Sequence, residues 1–352
     1  MLEKIKEQSV WSRLAETKKP IVLYGMGNGA DMIIDRLDEI GAEFCDIFAS
    51  DEFVRGHSFH GKTVLKYSQI CEKYDDFIIL MTFAVHDKGT LERVRKMSLE
   101  HELLAPTVPI AGKGIFGLDF VKTHESEFDE AYGMLADEKS RKAFVDVLNF
   151  KISGKIEYLF DCQSEKDEAY DEILRLGKTE TIADLGAYDG DTIREFLEHT
   201  GGKYDKIYAF EPDGKNFIKL KRKTAGLDNI EYFNAAAWDK NEVLSFDKRA
   251  GRNSRQSESG EKVEALALDE AADSVTFIKM DVEGAEEKAL IGARGLIERF
   301  KPKLYVCAYH RNEDAYNLPR LIKSFCSEYK IYYRHHPYIP AWESNFYCVC
   351  EN

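Results

Sequence analysis

Thr179-Glu-Thr-Ile-Ala-Asp184-Leu-Gly186-Ala-Tyr-Asp189-Gly190-Asp-Thr192 is the stretch whose reading decides the fold. Ile182 to Leu185 is a short apolar run with the length and flanks of a buried parallel strand. The run breaks at Gly186, and Thr192 to His199 then places Ile193, Phe196 and Leu197 on one helical face. A strand that turns through glycines into a helix points free backbone N–H groups at whatever lies over the turn. Glycine also lets that ligand approach the backbone closely. A nucleotide-type cradle is the functional reading of this D-x-G-x-x-x-G spacing. A plain strand-to-helix turn built of small residues is the alternative.

The strands that follow extend the pattern. Asp205 to Pro212 is an apolar run ending in Glu211, and an acid at the tip of a second strand can accept ribose hydroxyls in a doubly wound fold. Ile230 to Asp239 reads as a third strand ending in Asn234, placed to face an adenine. A fourth, from Val275, ends in Asp281, Glu283 and Gly284, and a fifth, from Lys303, ends in His310. Polar residues gathered at the carboxyl ends of five strands describe an open α/β sheet with its site along that edge.

In this order and spacing, four motifs resemble the FkbM-type S-adenosylmethionine-dependent methyltransferases over roughly residues 135 to 352. They are Asp184-Leu-Gly-Ala-Tyr-Asp-Gly-Asp-Thr, Phe210-Glu-Pro, Ile278-Lys-Met-Asp-Val-Glu-Gly-Ala-Glu, and Pro302 followed by a strand ending in Tyr309-His310. The third is the most specific. The resemblance implies a seven-stranded Rossmann-like methyltransferase sheet, completed by an antiparallel pair at Tyr329 to His336 and Asn345 to Cys350. It also implies S-adenosyl-L-methionine as cofactor. Asp184, Gly186, Ala187 and Asp189 would hold its methionine part, with Tyr188 and Thr192 in the same turn. Glu211 with Pro212 would take the ribose, and Asn234 with Ala235 the adenine edge. Asp281 would lie nearest the transferring methyl group.

Methyl transfer to oxygen is an in-line displacement, so the protein must align donor and acceptor and move one proton. Asp281, Glu283 and His310 are the expected catalytic residues, with His310 as base because its ordinary pKa lies near neutrality. Carboxylates also favour helix N-termini through the dipole. That plain alternative stands beside function for Asp281 and Glu283, and it is accepted for Glu286 and Glu287. A satisfied surface histidine is the alternative for His310. Cation binding by Asp281, Glu283 and His310 ranks below direct base chemistry, and no metal is assigned. His335 and His336 read as surface residues.

The chain's 352 residues favour two domains. The expected division is an N-terminal Rossmann-like βαβ domain over 1–120, a helical connector over 121–177 and a methyltransferase domain over 178–352, an α/β protein throughout. Residues 1–19 read as an amphipathic helix carrying Ile5, Val10, Trp11 and Leu14. Pro20 to Ala30 is a second strand–glycine–helix unit, a G-x-G-x-x-A at Gly25, Gly27 and Ala30, with further strands at 43–50 and 77–82. Alone this motif is weak support for a dinucleotide. The acid expected at the second strand's tip is displaced, because Asp46 lies inside the run and Asp51 beyond it. The half either binds a nucleotide or sugar nucleotide, or is a structural or dimerising unit whose glycines allow close packing.

Residues 111–120 read as a linker. Helices follow from Leu135, with Asp137 as N-cap, and from Glu168. In the resembled family such helices lie over the site, so Tyr158 and Tyr170 either border the substrate or pack in the core. The glycine- and serine-rich loop at 249–260 reads as a lid whose Arg252, Asn253 and Ser254 touch a polar substrate, or as a plain solvent loop.

A net charge of −14 argues against duplex nucleic acid or an anionic membrane as partner. No stretch approaches 18 apolar residues and the amino end lacks an apolar signal core, so a cytoplasmic location is expected. The seven cysteines are odd in number and scattered, which fits free thiols. Cys348 and Cys350 share a strand face but lack a matching ligand pair at finger spacing. The expected partner is a small-molecule or glycan substrate, with a homo-oligomer possible through the N-terminal domain. The expected reaction is O-methylation of a sugar, glycan precursor or secondary metabolite. Two other classes stay open: an NAD(P)- or nucleotide-sugar-binding enzyme using Gly25, Gly27 and Ala30, and a non-catalytic cofactor-binding scaffold.

Overall fold

A computed structural model describes residues 1–109, 111, 114–247, 255–256 and 261–350. In the N-terminal half the strands are β1 (Ile21–Tyr24), β2 (Asp46–Ala49), β3 (Ser58–Phe59), β4 (Lys62–Lys66), β5 (Ile78–Met81) and β6 (Glu102–Leu104). They form one sheet in the order β3-β4-β2-β1-β5-β6. β1, β2 and β5 are buried along their whole length, as parallel strands covered on both faces must be. Sequence reading missed β3, β4 and β6, which are short or carry charged residues and so lack a clear apolar run. The expected helix over 1–19 is broken into a 3-10 turn at Leu2–Lys4 and a helix at Val10–Glu16. Between them the backbone N–H of Lys6 donates to Asn149 Oδ1 at 3.3 Å, which replaces a helical bond.

The C-terminal half carries β7 (Thr181–Leu185), β8 (Lys206–Phe210), β9 (Ile230–Phe233), β10 (Ala236–Ala237), β11 (Glu242–Asp247), β12 (Arg255–Gln256), β13 (Glu261–Leu266), β14 (Phe277–Met280), β15 (Lys303–Cys307), β16 (Lys330–His335) and β17 (Ser344–Val349). Seven of them form a sheet in the order β16-β17-β15-β14-β7-β8-β9. β17 runs antiparallel to both neighbours, and the pairs from β15 to β9 are parallel. This is the expected seven-stranded architecture. One detail needs correction. Ile230 to Asp239 is not a single strand, because β9 stops at Phe233 and β10 belongs to a separate sheet ordered β10-β13-β11-β12. The Asn234 amide donates to the carbonyls of Glu211 (2.8 Å) and Pro212 (3.2 Å), and the chain leaves the large sheet at that point.

Helices Leu118–Thr123, Glu125–Met134, Glu138–Ser153 and Glu157–Cys162 join the halves. They are stitched to the sheet edge, with Ala136 N donating to Ile331 O at 2.8 Å and Ser164 N to His335 O at 2.9 Å. Val85 and Ile339 exchange backbone hydrogen bonds of 2.8 and 2.9 Å, so the first half also touches the segment before β17. A single apolar cluster runs through both halves, including Val22, Phe77, Phe144, Ile278 and Phe346. Tyr170 is buried and stacks on His199, and the Tyr158 hydroxyl donates to Glu7 at 2.6 Å. Tyr170 therefore serves packing, whereas Tyr158 lines a surface cleft with Glu7, Glu102 and Lys155. His335 and His336 are not surface residues: both are buried, and His336 bonds the Ser164 carbonyl (2.8 Å) and Tyr347 hydroxyl (2.6 Å). Burial pushes their pKa values down to about 3 and about 4.

Asp137 caps its helix as expected, accepting from Ser140 N at 2.7 Å, and its carboxylate also meets Arg334 Nη2 at 2.7 Å. Burial raises its pKa, but Arg334 and Ser140 outweigh that and hold it at about 2. That lies below the ordinary carboxylate value. Its stabilisation is therefore complete above about pH 4 and is lost as pH falls from there through about 2. Asp137→Ala should cost roughly 2–4 kcal/mol, short of a fully buried pair because Asp137 is partly exposed. Thermal unfolding between pH 2 and 7 checks this: the variant should be weaker at neutral pH and should show a shallower acid slope.

Two turn glycines give a second prediction. Gly186 (φ +88°) and Gly27 (φ +93°) both sit in backbone that favours glycine. A Cβ on Gly186 would lie 1.8 Å from the Asp281 carbonyl oxygen, whereas nothing lies within 4 Å of one on Gly27. Gly27→Ala should cost about 1–3 kcal/mol from backbone strain, and Gly186→Ala roughly 4 or more because the clash is with main chain. Denaturant melts of the two variants compare them directly.

Candidate active site

β7, β8, β14 and β15 run parallel, so their carboxyl ends share one edge of the sheet. The turn after β7 passes directly beneath the tip of β14, where only a glycine at 186 clears the Asp281 carbonyl. Gly186 N and Ala187 N both donate to the Phe210 carbonyl, at 3.0 and 2.8 Å. Tyr188 adopts φ +47° with its ring half-exposed, and its N–H donates to Glu211 Oε2 at 2.9 Å. Asp213 N donates to Glu211 Oε1 at 2.8 Å. Glu211 is 6% exposed, and its burial outweighs these two bonds and pushes its pKa up to about 7.

The turn thus brings Gly186, Ala187, Tyr188, Glu211, Pro212 and Asn234 together, with Ala235 buried just behind. Thr192 is buried in the first turn of helix Asp191–Thr200. Asp189 instead pairs with Lys223 on the following helix. Asp184 lies beneath the turn, fully buried, with Lys279 Nζ at 3.6 Å and neither carboxylate oxygen hydrogen-bonded. Burial pushes Asp184 up to about 6 against the pull of Lys279. Lys279 also donates to the Gly186 carbonyl at 3.2 Å. Sequence reading quoted this lysine but gave it no role. Its signal was a charge inside the apolar run Phe277-Ile-Lys-Met280.

The second cluster surrounds His310, which lies three residues beyond β15 and is 3% exposed. Its Nε2 faces Asp281 Oδ1 at 3.5 Å and Glu283 Oε2 at 3.6 Å, and its Nδ1 faces Glu286 Oε1 at 2.9 Å. The Tyr309 hydroxyl donates to Asp281 at 3.3 Å. Burial opposes a charge on His310, but Glu286, Asp281 and Glu283 outweigh it and raise the imidazolium pKa to about 10. The expectation of a free imidazole base is corrected here. With three carboxylates around it, the ring keeps its proton at neutral pH and has no lone pair to offer. Nor is His310 a surface residue.

Glu286 was set aside as an ordinary helix-start acid, yet it is 1% exposed. It shares the buried face of helix Glu286–Gly292 with Ala289 and Leu290, the available clue that separates it from the exposed Glu287. Asp314 was missed altogether. It is buried and accepts from Arg311 N at 2.7 Å, and burial with Glu286 nearby pushes it up to about 8.

A cleft opens beside His310, walled by Phe116, Lys151, Tyr309, Asn312 and Trp342. The expected linker contributes to it. Ala111 N donates to the His310 carbonyl at 3.2 Å and the Asn312 amide to Gly114 O at 3.2 Å, so this segment crosses the site. The lid residues Arg252, Asn253 and Ser254 lie outside the described residues. In the N-terminal half, a Cβ on Gly25 would fall 2.5 Å from the Phe83 ring, so that ring packs against the turn. Asp46 is paired with Lys73 and Tyr74.

The sequence model of the Methyltransferase FkbM domain matches residues 184–332. No curated protein matches the chain. Among solved structures, the methyltransferase FkbM from Methylobacillus flagellatus KT is 23% identical, with a TM-score of 0.73 over 99% of this chain and 95% of its own. An rRNA methylase from Streptococcus thermophilus is 14% identical, with a TM-score of 0.35 over 51% of this chain and 90% of its own. Aeropyrum pernix fibrillarin, solved with S-adenosyl-L-methionine, is 15% identical, with a TM-score of 0.34 over 50% and 68%. Among the described residues, no helix is long and apolar enough to cross a membrane. The stretch similar to the Methyltransferase FkbM domain runs from the acid beneath the β7 turn to the middle of β16.

Proposed function

We propose that the chain is an S-adenosyl-L-methionine-dependent methyltransferase that methylates a hydroxyl oxygen on a sugar, glycan precursor or secondary metabolite. The observation that carries this reading is Glu211: a buried carboxylate fixed by the N–H groups of Tyr188 and Asp213 beside the Gly186 turn. Such a carboxylate can accept both hydroxyls of a ribose. Asp184 supports this turn from below, buried against Lys279, whose ammonium also holds the Gly186 carbonyl. When bound, the cofactor supplies a methyl group on a sulfonium, which departs as a neutral thioether as the C–O bond forms.

The chain's own residues do the rest. Gly186 lets the turn approach the ligand, and Asn234 ties the carbonyls of Glu211 and Pro212 in place. The cleft of Phe116, Tyr309 and Trp342 with Lys151 and Asn312 combines apolar faces with polar groups, which suits a hydroxylated small molecule or glycan. Loss of surrounding water pushes the Lys151 ammonium down to about 8, although Asp314 and Glu313 oppose this. Asp281 is held ionised: burial raises its pKa, but Lys279 and His310 outweigh that. Asp281 and Glu283 are the carboxylates at hand for the acceptor's proton. The net charge of −14 favours such an acceptor over nucleic acid.

Calorimetry with S-adenosyl-L-methionine and S-adenosylhomocysteine tests the reading. Saturable binding is expected, and its absence at millimolar concentration would overturn the proposal. Glu211→Ala should weaken binding roughly 10- to 150-fold, the cost of losing a charged acceptor, while the rate recovers at high cofactor. Because Glu211 titrates at about 7 and must be ionised to accept the ribose hydroxyls, wild-type affinity should fall about tenfold from pH 8 to pH 6. Glu211→Gln should remove that pH dependence.

A further inference from the structure

The His310 cluster holds more negative charge than direct proton chemistry needs. Asp281, Glu283 and Glu286 all exert their charge on this histidine, and Glu286 also acts on the buried Asp314. Three facts of geometry single the cluster out. His310 Nε2 points between Asp281 Oδ1 and Glu283 Oε2 at 3.5 and 3.6 Å, longer than charge-assisted hydrogen bonds. Ligand atoms that share one divalent ion about 2.1 Å away stand roughly 3.0–3.4 Å from each other. On the other side of the ring, Glu286 Oε1 lies 2.9 Å from Nδ1 and also accepts from Val282 N at 3.1 Å and Gly284 N at 3.4 Å.

Facing carboxylates on one ring nitrogen, with a further carboxylate fixing the other, is how metal-bound imidazoles are oriented. A second observation is independent of that spacing. Glu286 and His310 are 1% and 3% exposed, yet Glu286 Oε2 and His310 Nδ1 have no hydrogen-bond partner of correct angle. Ligand-type atoms of Asp281, Glu286 and His310 lie within 4.8 Å of one another. Both orphaned atoms lie on the Nδ1 side of the ring and mark the Glu286 contact as imperfect, whereas the candidate ion falls on the Nε2 side.

We infer that Asp281, Glu283 and His310 Nε2 bind one divalent cation of the Mn²⁺ or Mg²⁺ class, with Glu286 as the residue that positions the imidazole. One imidazole and two carboxylates suit a hard-to-borderline ion. The site lies at the carboxyl ends of β14 and β15, on the rim of the cleft that His310 and Tyr309 line. Resting on the methyl-transfer reading, the ion's task is to coordinate the acceptor hydroxyl and lower its pKa. With Asp281 and Glu283 holding the ion instead of taking the proton, the O–H proton passes to water before the C–S bond breaks and the C–O bond forms. The ion takes the place of the Nε2 proton, so His310 binds the ion through that nitrogen and takes no proton from the acceptor.

The test uses full-length protein stripped with EDTA and titrated with Mn²⁺, followed by electron paramagnetic resonance, with cofactor affinity measured on the same preparation. One saturable Mn²⁺ per chain is expected, competed by Mg²⁺. Asp281→Asn and His310→Gln should abolish it or weaken it at least about tenfold, and Glu286→Gln should weaken it about 10- to 100-fold and alter the Mn²⁺ spectrum. Breaking the buried His310–Glu286 pair lowers the melting temperature of either variant, so cofactor affinity, expected close to wild type in His310→Gln and Glu286→Gln, separates lost ligation from lost folding. No saturable Mn²⁺ binding, or equal affinity in wild type, Asp281→Asn and His310→Gln, would overturn the inference even if cofactor binds. Mn²⁺ bound at these residues without cofactor binding would support the cation site and sink the methyltransferase reading instead.

Discussion

The ion pair between Lys279 and Asp184 underlies the arrangement of the whole site. Lys279 belongs to β14 and Asp184 to β7, which are direct neighbours in the sheet. Both are essentially cut off from water, and an unpaired charge there would cost several kcal/mol. Neither side chain can change alone. The same ammonium donates to the Gly186 carbonyl, so it also fixes the turn under which the Asp281 backbone passes. Burial of one charged pair therefore sets the relative height of two strand ends, and with it the separation between the Glu211 carboxylate and the Asp281–His310 cluster.

Much of this was legible because parallel strands write themselves as apolar runs and strand-end chemistry falls at the breaks. The order β7, β8, β14, β15 and the antiparallel pair β16–β17 follow from such runs. The failures have common causes. Where a polar side chain replaces a backbone partner, as Asn234 does after β9 and Asn149 does at Lys6, the apolar pattern continues while the element stops. Short edge strands such as β3 bury too little to leave a pattern at all.

Site residues show the same division. Gly186, Glu211 and Asp281 were visible because their positions relative to a strand end fix what they face. Asp189 was also placed in the turn, but a lysine on the next helix captures it. Glu286 and Asp314 were hidden because burial of a carboxylate depends on partners far away in the sequence. Glu286 is sealed against His310, and Asp314 against the Arg311 N–H. The histidines reveal the limits of intrinsic pKa as a guide. His310 is driven upward by carboxylates, while His335 and His336 are driven downward by burial without a carboxylate at hydrogen-bond distance. The residue type is the same in each case, and the surroundings decide the proton.

The two sides of the proposed site are built differently, and this explains why the turn beside Glu211 can be read and the cleft beside His310 cannot. Glu211, Gly186 and Asn234 lie on consecutive strand ends of one sheet, so a local motif carries their geometry. The acceptor wall draws Phe116 from the segment after β6, Lys151 from a connector helix, Asn312 from the loop after β15 and Trp342 from the approach to β17. No sequence spacing links these four, and Val85 and Ile339, which exchange backbone hydrogen bonds where the halves meet, are also buried in one apolar cluster. Under the proposed function, acceptor choice would depend on how the N-terminal half and connector meet the sheet, while the β7 turn stayed the same.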